Sequence, residues 1–237
     1  MKKYLSLAVV LALSLTLFVG CGKPATYKDG TFIGASDAND RGYTRAEITI
    51  KKDKIESVKI VGLDNVDLDK TEDYPYEEYH KAVTELEKAM KEKNTWDVDA
   101  VAKATSTSTQ AKQAAQRAME KALVKPTSTA KYFDGTFMAI SEQTERGWTI
   151  AWVTLKGDKI TDVKLSSTTA KTDDNGNNTF VRKDESYPYE PYFEALELIP
   201  QRMVEKNGTD IEAVTGATST TDQAKQAVEK ALTEATR

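Results

Sequence analysis

The sequence has one cysteine, Cys21, and one histidine, His80, among its 237 residues. A single cysteine excludes an intramolecular disulfide, and so few cysteine and histidine residues leave no cluster with metal-ligand spacing. The glycine-rich fingerprints of dinucleotide sites and of P-loops are also absent. The sequence therefore predicts no metal site and no nucleotide site of either kind.

Neither sign of charge dominates the chain. Its 33 Lys and Arg residues are set against 37 Asp and Glu residues, for a formal net charge of −4. The two signs are mixed along the sequence and form no basic stripe, whereas nucleic-acid-binding proteins concentrate positive charge on one face. A nucleic-acid partner is therefore not expected.

One long apolar run is present, and it lies at the N-terminus. It extends from Tyr4 to Val19, follows two lysines and ends at Gly20-Cys21-Gly22. A basic start, an apolar stretch and small residues are typical of an export signal, and the run is short for a permanent membrane span. We predict a signal peptide over residues 1–20, whose removal takes away Lys2 and Lys3 and changes the net charge to −6.

The position of Cys21 resembles that of the lipid-modified cysteine of bacterial lipoproteins. Phe18 departs from that pattern, because a leucine usually stands three residues before the cysteine. The resemblance implies a lipidated tether over residues 21–26, which would attach the protein to the extracytoplasmic face of the cell membrane. The alternative is an ordinary secreted protein with an unmodified cysteine.

The rest of the sequence is a tandem duplication. The matching segments keep their order, and the second copy contains one insertion of eight residues around Asp173 to Phe180. The clearest matches pair Tyr27–Phe32 with Tyr132–Phe137, Arg41–Tyr43 with Arg146–Trp148, Tyr74–Glu77 with Tyr187–Glu190, and Gln110–Ala114 with Gln223–Ala227. We predict domains over residues 27–123 and 131–237, joined by a Pro-, Ser- and Thr-rich linker over residues 124–130.

Each copy shows the same order of secondary-structure signals. Alternating runs at Thr44–Lys51 and Thr149–Lys156 predict strands, and the following Lys-Asp or Gly-Asp pairs predict hairpin turns into a further strand. Helices are predicted at about Tyr79–Lys93 and Thr109–Leu123, and again at Tyr192–Lys206 and Thr221–Ala235. The predicted fold class is α+β, with two small domains that each pack an antiparallel sheet against helices.

The segment Glu212-Ala213-Val214-Thr215-Gly216-Ala217-Thr218-Ser219-Thr220 lies between the two predicted helices of the second copy. It resembles the covalent attachment sequence of the FMN-binding domain family, which includes two-domain lipoproteins of Gram-positive extracellular electron transfer. The resemblance implies that Thr218 receives FMN through a phosphoester bond, formed by a separate flavin transferase. It also implies cofactor-binding roles for Thr215, Gly216, Ala217 and Ser219.

Chemical considerations agree with that assignment. A threonine hydroxyl is a poor nucleophile without an activating base, so an external enzyme is a natural way to modify it. Gly216 permits close backbone approach, and Thr218–Thr221 stand just before the predicted helix, where the dipole favours a phosphate. The alternative interpretation is a Ser/Thr-rich helix cap without a ligand.

The first copy departs from the motif. Its aligned segment is Asp99-Ala100-Val101-Ala102-Lys103-Ala104-Thr105, in which Ala102 and Lys103 replace the threonine and the glycine. Lys103 could still pair with a phosphate. Thr105 is therefore a candidate for a second covalent FMN, and a first domain without flavin is the alternative.

By resemblance, the function is electron transfer and not stand-alone catalysis. Electrons would arrive from a membrane quinol-linked donor and leave to extracellular acceptors such as ferric iron. Two alternatives remain open at this point: a flavin-dependent reductase of a specific small molecule, and a cell-surface binding lipoprotein without flavin. The chain offers no residues for a larger catalytic domain, which disfavours the reductase.

Overall fold

The computed structural model describes residues 24–172 and 178–237. The predicted signal peptide and Cys21 lie outside the described residues, as do the first three residues of the predicted tether. Two tandem α+β units follow, so the predicted fold class is confirmed. Within the described ranges, no helix is long and apolar enough to span a membrane.

The first unit contains a three-stranded antiparallel sheet in the order β1-β2-β3. Its elements are β1 (Gly30–Ala35), β2 (Tyr43–Lys51), β3 (Lys54–Leu63), α1 (Glu77–Lys93) and α2 (Thr105–Ala122). Alternate residues of β2 are buried, including Ala46, Ile48 and Ile50, because one face of the sheet packs against the helices. The alanine stripe of α2 lets that helix lie close to the sheet.

The second unit repeats this layout and adds one strand. Its elements are β4 (Gly135–Ile140), β5 (Thr149–Lys156), β6 (Lys159–Thr172), β7 (Asn178–Arg182), α3 (Glu190–Lys206) and α4 (Thr218–Ala235). Strand β6 has 14 residues where β3 has 10, and its last part pairs antiparallel with β7 at the sheet edge. The sheet order is β4-β5-β6-β7.

Both predicted hairpin turns are present. Lys52 and Asp53 have φ angles of 51° and 62°, and Gly157 and Asp158 have 55° and 62°, as a two-residue type I′ turn requires. An asparagine in the left-handed conformation then ends the first helix of each unit. The side chain of the second of these, Asn207, accepts a 2.7 Å hydrogen bond from the Ile160 N–H beside the turn.

The four helices begin earlier than the sequence pattern indicated. Helices α1 and α3 start two residues before the predicted positions, while α2 and α4 start at Thr105 and Thr218, and not at Thr109 and Thr221. The prediction that Thr218–Thr221 precede the helix is therefore wrong. The apolar stripe marks only where the helix becomes buried, whereas the first turn consists of hydroxyl residues that the pattern does not register.

The two units share a continuous interface. Ala35, Tyr43 and Leu63 of the first unit pack within the hydrophobic core of the second. The Ala38 N–H donates a 2.7 Å hydrogen bond to the Thr136 carbonyl across the boundary. The sequence predicted a linker between two domains but gave no indication of this contact.

Arg117 of α2 lies at the centre of that interface and is only 6% exposed. Its guanidinium donates to the Ala35 carbonyl (2.8 Å), to Asp37 Oδ1 (2.7 Å) and to the Asp134 carbonyl of the second unit (2.8 Å). The guanidinium carbon also lies 4.7 Å from the centre of the Phe137 ring. The buried guanidinium of Arg117 therefore links the two units through its hydrogen bonds.

A second polar cluster lies at the edge of the interface. Tyr43 donates a 2.8 Å hydrogen bond to Asp67, and Arg45 forms a 2.9 Å ion pair with Glu234 of α4. Burial raises the pKa of Asp67 to about 6, because lost solvation outweighs the Tyr43 hydrogen bond and the Arg45 charge. Burial also raises the pKa of Tyr43, so its hydroxyl stays a donor.

The raised pKa of Asp67 predicts a pH-dependent stability. The folded protein binds the proton of the Asp67 carboxyl group more tightly than the unfolded chain does. The contribution of this proton to the free energy of unfolding is therefore complete below pH 4 and is lost as the pH rises through 6. Asp67→Asn keeps an acceptor for Tyr43, and asparagine tolerates the left-handed φ of 65°. We expect urea unfolding at pH 8 to show the variant more stable than the wild type by up to about 3 kcal/mol. At pH 4 the two should agree, and a constant difference from pH 4 to 8 would contradict the assignment.

Candidate functional site

The loop before α4 presents Thr218 at the start of the helix. Gly216 has a φ of 76°, and Ala217 is the N-cap residue, with φ −132° and ψ 35°. Ala217 is buried, whereas Thr215, Gly216, Thr218 and Ser219 are exposed. Thr218 is thus the first helical residue, with a solvent-accessible hydroxyl beside backbone N–H groups that the helix itself does not use.

Thr221 fixes the shape of this loop. Its hydroxyl donates a 3.0 Å hydrogen bond to the Ala217 carbonyl and accepts one of 3.1 Å from the Val214 N–H. Thr221 is fully buried, so both bonds are protected from water. One side chain therefore joins the loop to the first turn of the helix and sets the position of Thr218.

Tyr189 holds the loop from the outside. Its hydroxyl donates to the Gly216 carbonyl, while its ring remains substantially exposed. Tyr189 belongs to the second Tyr-Pro-Tyr segment, which precedes α3, so the contact joins the starts of both helices. The sequence did not predict this contact, although the recurrence of the tyrosine as Tyr76 in the first copy was a signal.

A groove of about 860 Å³ lies beside the start of α4. Three tyrosines line it, Tyr187, Tyr189 and Tyr192, and Ser219 and Thr220 contribute hydroxyl groups from the first turn. Other lining residues come from the Thr144–Gly147 turn, from β6 and from Lys183. Burial raises the pKa of Tyr192, so its hydroxyl is neutral at physiological pH.

This groove fits FMN in size and chemistry. Its volume is within the range of small-molecule and cofactor sites, and the partly exposed Tyr187 and the exposed Tyr189 offer flat rings to a flavin. The exposed helix start suits a phosphate group. Within the described residues, no cluster of three or more potential metal-ligating side chains is found.

Neither Trp148, which precedes β5, nor Trp152 of β5 lines the groove. Trp148 is 4% exposed and Trp152 is 8% exposed, and both belong to the hydrophobic core of the second unit. Trp148 packs against Phe180 of β7 with a centroid distance of 4.8 Å. Their burial favours a structural role for both tryptophans over ring stacking on a flavin.

The first unit has the same loop despite its different sequence. Lys103 adopts a left-handed φ of 63°, and Ala104 has φ −127° and ψ 38°, close to the values at Ala217. Ser108 takes the place of Thr221, with 3.0 Å hydrogen bonds to Ala104 O and from Val101 N. Tyr76 donates to the Lys103 carbonyl as Tyr189 does to Gly216. Thr105 is therefore presented like Thr218, at the exposed start of a helix.

Lys103 adopts the backbone conformation of a glycine at a cost in stability. A left-handed conformation is unfavourable for a residue with a Cβ atom by about 1 kcal/mol. We expect Lys103→Gly to stabilise the protein by less than about 1 kcal/mol in urea unfolding, because the relief of native-state strain exceeds the entropic cost of the freer unfolded chain. The reciprocal change Gly216→Lys should destabilise by a similar amount, and equal stability of all three proteins would contradict this.

Comparisons with known proteins agree with the duplication. A family profile for the FMN-binding domain matches residues 41–120 and again residues 147–233, one match in each unit. Among solved structures, the chain is similar to a Clostridium perfringens protein, with 28% identity, a TM-score of 0.36 and coverage of 40% of this chain and 88% of that one. No curated protein matches the chain significantly. The resemblance predicted from the Thr215–Thr218 motif is thus confirmed at the level of the family.

Proposed function

Because the chain belongs to the FMN-binding domain family, we propose that it is an extracytoplasmic electron carrier with FMN covalently bound to Thr218. The observation that carries the proposal is the placement of this threonine. Its exposed hydroxyl stands at a helix start, in a loop held by Thr221 and Tyr189, beside a groove of cofactor size. When bound, the flavin supplies the redox chemistry.

The residues of the chain position and retain the cofactor. The first-turn N–H groups of α4 would hold the phosphate, and Gly216, which has no side chain, would leave room for it. Ala217 and Thr215 complete the loop that the transferase recognises, and Ser219 lies at the groove beside the modified residue. A micromolar noncovalent site corresponds to only about 8 kcal/mol, so FMN outside the cell would be lost by dilution. A phosphoester bond removes that loss.

Thr105 is proposed as a second attachment site. The retained loop geometry at Lys103, Ser108 and Tyr76 supports this, since the backbone that presents Thr105 follows that of the second unit. Lys103 also places a cation two residues from the threonine, where a phosphate would be attached. The carrier would then hold two flavins in one polypeptide.

The proposed location and partners follow from the N-terminal sequence and the family. A lipid on Cys21 would keep the carrier at the outer face of the cell membrane. A flavin transferase would load it, a quinol-linked membrane donor would reduce it, and an extracellular acceptor such as ferric iron would oxidise it.

The intact mass and visible absorbance of the protein test this proposal. The chain should be produced in cells with and without a flavin transferase, and then denatured to release noncovalent ligands. With the transferase, we expect one or two FMN-sized mass increments and a flavin spectrum that survives denaturation. An unmodified mass and a colourless protein in both hosts would overturn the proposal and favour a binding lipoprotein without flavin.

A reductase with a specific substrate is the remaining alternative. A carrier should reduce several chemically unrelated acceptors, with rates that depend on their redox potentials. Saturable turnover of a single small molecule would instead favour the reductase.

A further inference from the structure

Lys183 lies in the wall of the groove and is held against two tyrosine rings. Its Nζ atom is 4.1 Å from the ring centre of Tyr187 and 4.6 Å from that of Tyr192. Both tyrosines line the groove, as do Ser219 and Thr220 of the first turn of α4. The two rings meet edge to face, and a cation close to both is restricted in position because each ring attracts it.

The charge of Lys183 has no carboxylate partner in the described part of the chain. Among residues 24–172 and 178–237, its Nζ forms no ion pair within 4.0 Å. The groove lining contains two cations, Lys183 and Arg146, and one carboxylate, Glu145. The start of α4 adds its positive dipole end. The lining is therefore net positive in a chain that is acidic overall.

The first unit repeats this arrangement. Lys70 Nζ lies 5.3 Å from the ring centre of Tyr74 and 5.9 Å from that of Tyr79, the residues equivalent to Tyr187 and Tyr192. The segments before these lysines differ, since only the second unit contains β7. Burial lowers the pKa of Lys70, in agreement with a position away from bulk water. The lysine and its two tyrosines thus recur although the preceding segments diverge.

We propose that the Lys183 ammonium contacts the ring of the bound flavin and stabilises the reduced form of that ring. The inference rests on the proposed function, which supplies both the cofactor and a quinol-class donor. Two electrons and one proton convert the oxidised ring to a reduced ring with one negative charge. The oxidised ring is neutral, so a nearby ammonium stabilises the reduced form more than the oxidised form. Lys183 is accordingly a tuning residue, and the flavin is attached elsewhere, at Thr218.

The midpoint potential of the Thr218 flavin tests this role. The full chain should carry Thr105→Ala, so that one flavin is observed, and be reduced stepwise with dithionite beside a reference dye. We expect Lys183→Met to lower the ratio of reduced to oxidised flavin at least tenfold at a given potential, which corresponds to about 30 mV for a two-electron couple. Lys183→Arg should retain the wild-type potential, since it keeps the cation.

Lys70→Met provides the matched control, because it removes the same charge from the equivalent position of the other unit. An unchanged potential in Lys183→Met with one FMN per chain would overturn the proposal, and so would an equal shift in Lys70→Met, which would show a general effect of net charge. Lys183→Gln serves as a second neutral variant if the methionine variant does not fold. Intact mass distinguishes failure of the proposed function from failure of this inference. A parent protein without FMN contradicts the proposed function itself. A Lys183→Met variant that carries FMN but has an unshifted potential contradicts only the role of Lys183.

Discussion

Thr218→Ala is expected to remove the covalent flavin of the second unit completely. The phosphoester requires the threonine oxygen, and alanine offers no atom to which the phosphate can be joined. The variant should fold normally, because Thr218 is exposed and its side chain is not one that fixes the loop. In cells that contain the transferase, intact mass should show one FMN increment fewer than the wild type.

Two neighbouring substitutions make this result specific. Ser219→Ala removes the adjacent exposed hydroxyl and should leave the mass increment in place. Thr218→Ser keeps a hydroxyl on the same carbon and should retain modification, at a reduced level if the transferase requires the methyl group. Retention of the full increment in Thr218→Ala would place the flavin elsewhere and refute the assignment.

The corresponding change Thr105→Ala asks whether the first unit is also loaded. If it is, each single variant loses one increment and the double variant loses both. If the wild type has one increment only and Thr105→Ala leaves it unchanged, the first unit is a structural partner of the second. The geometry at Lys103 predicts the former result.

Much of the architecture follows from local sequence signals. The Lys-Asp and Gly-Asp pairs specify type I′ turns, since positive φ angles at both central residues fit the twist of the flanking strands. The alternating pattern of Thr149–Lys156 gives that strand its exact bounds. These features are short-range, so the residues that determine them are adjacent in the chain.

The parts that the sequence did not reveal depend on contacts between distant residues. Tyr189 and Gly216 are 27 positions apart, and their hydrogen bond forms only when the two helix starts meet. Arg117 occurs at a position where the second copy has Lys230, so it appears as an ordinary charge on the polar side of a helix. Its burial becomes evident only when the two units are placed together.

Arg117→Met is expected to cause the largest loss of stability and to weaken the contact between the two units. Methionine preserves most of the side-chain volume and the helix propensity, so the change isolates the charge and its hydrogen bonds. The Ala35 and Asp134 carbonyls would each lose a charged donor, and Asp37 would lose its partner. Because Asp37 is partly exposed and can be solvated, we expect a loss of about 3 kcal/mol in the free energy of unfolding, at the lower end for a broken buried ion pair.

The effect on cooperativity distinguishes the interface role from a loss of packing within α2. The wild type should unfold in one calorimetric transition because Ala35, Tyr43 and Leu63 of the first unit belong to the hydrophobic core of the second. In Arg117→Met, two transitions should separate as the units become independent. Lys230→Met alters the equivalent, exposed position of α4 and should change the stability by less than about 0.5 kcal/mol with a single transition. A single transition in Arg117→Met with nearly wild-type stability would mean that the shared core, and not the buried guanidinium, holds the two flavin-binding units in their fixed relation.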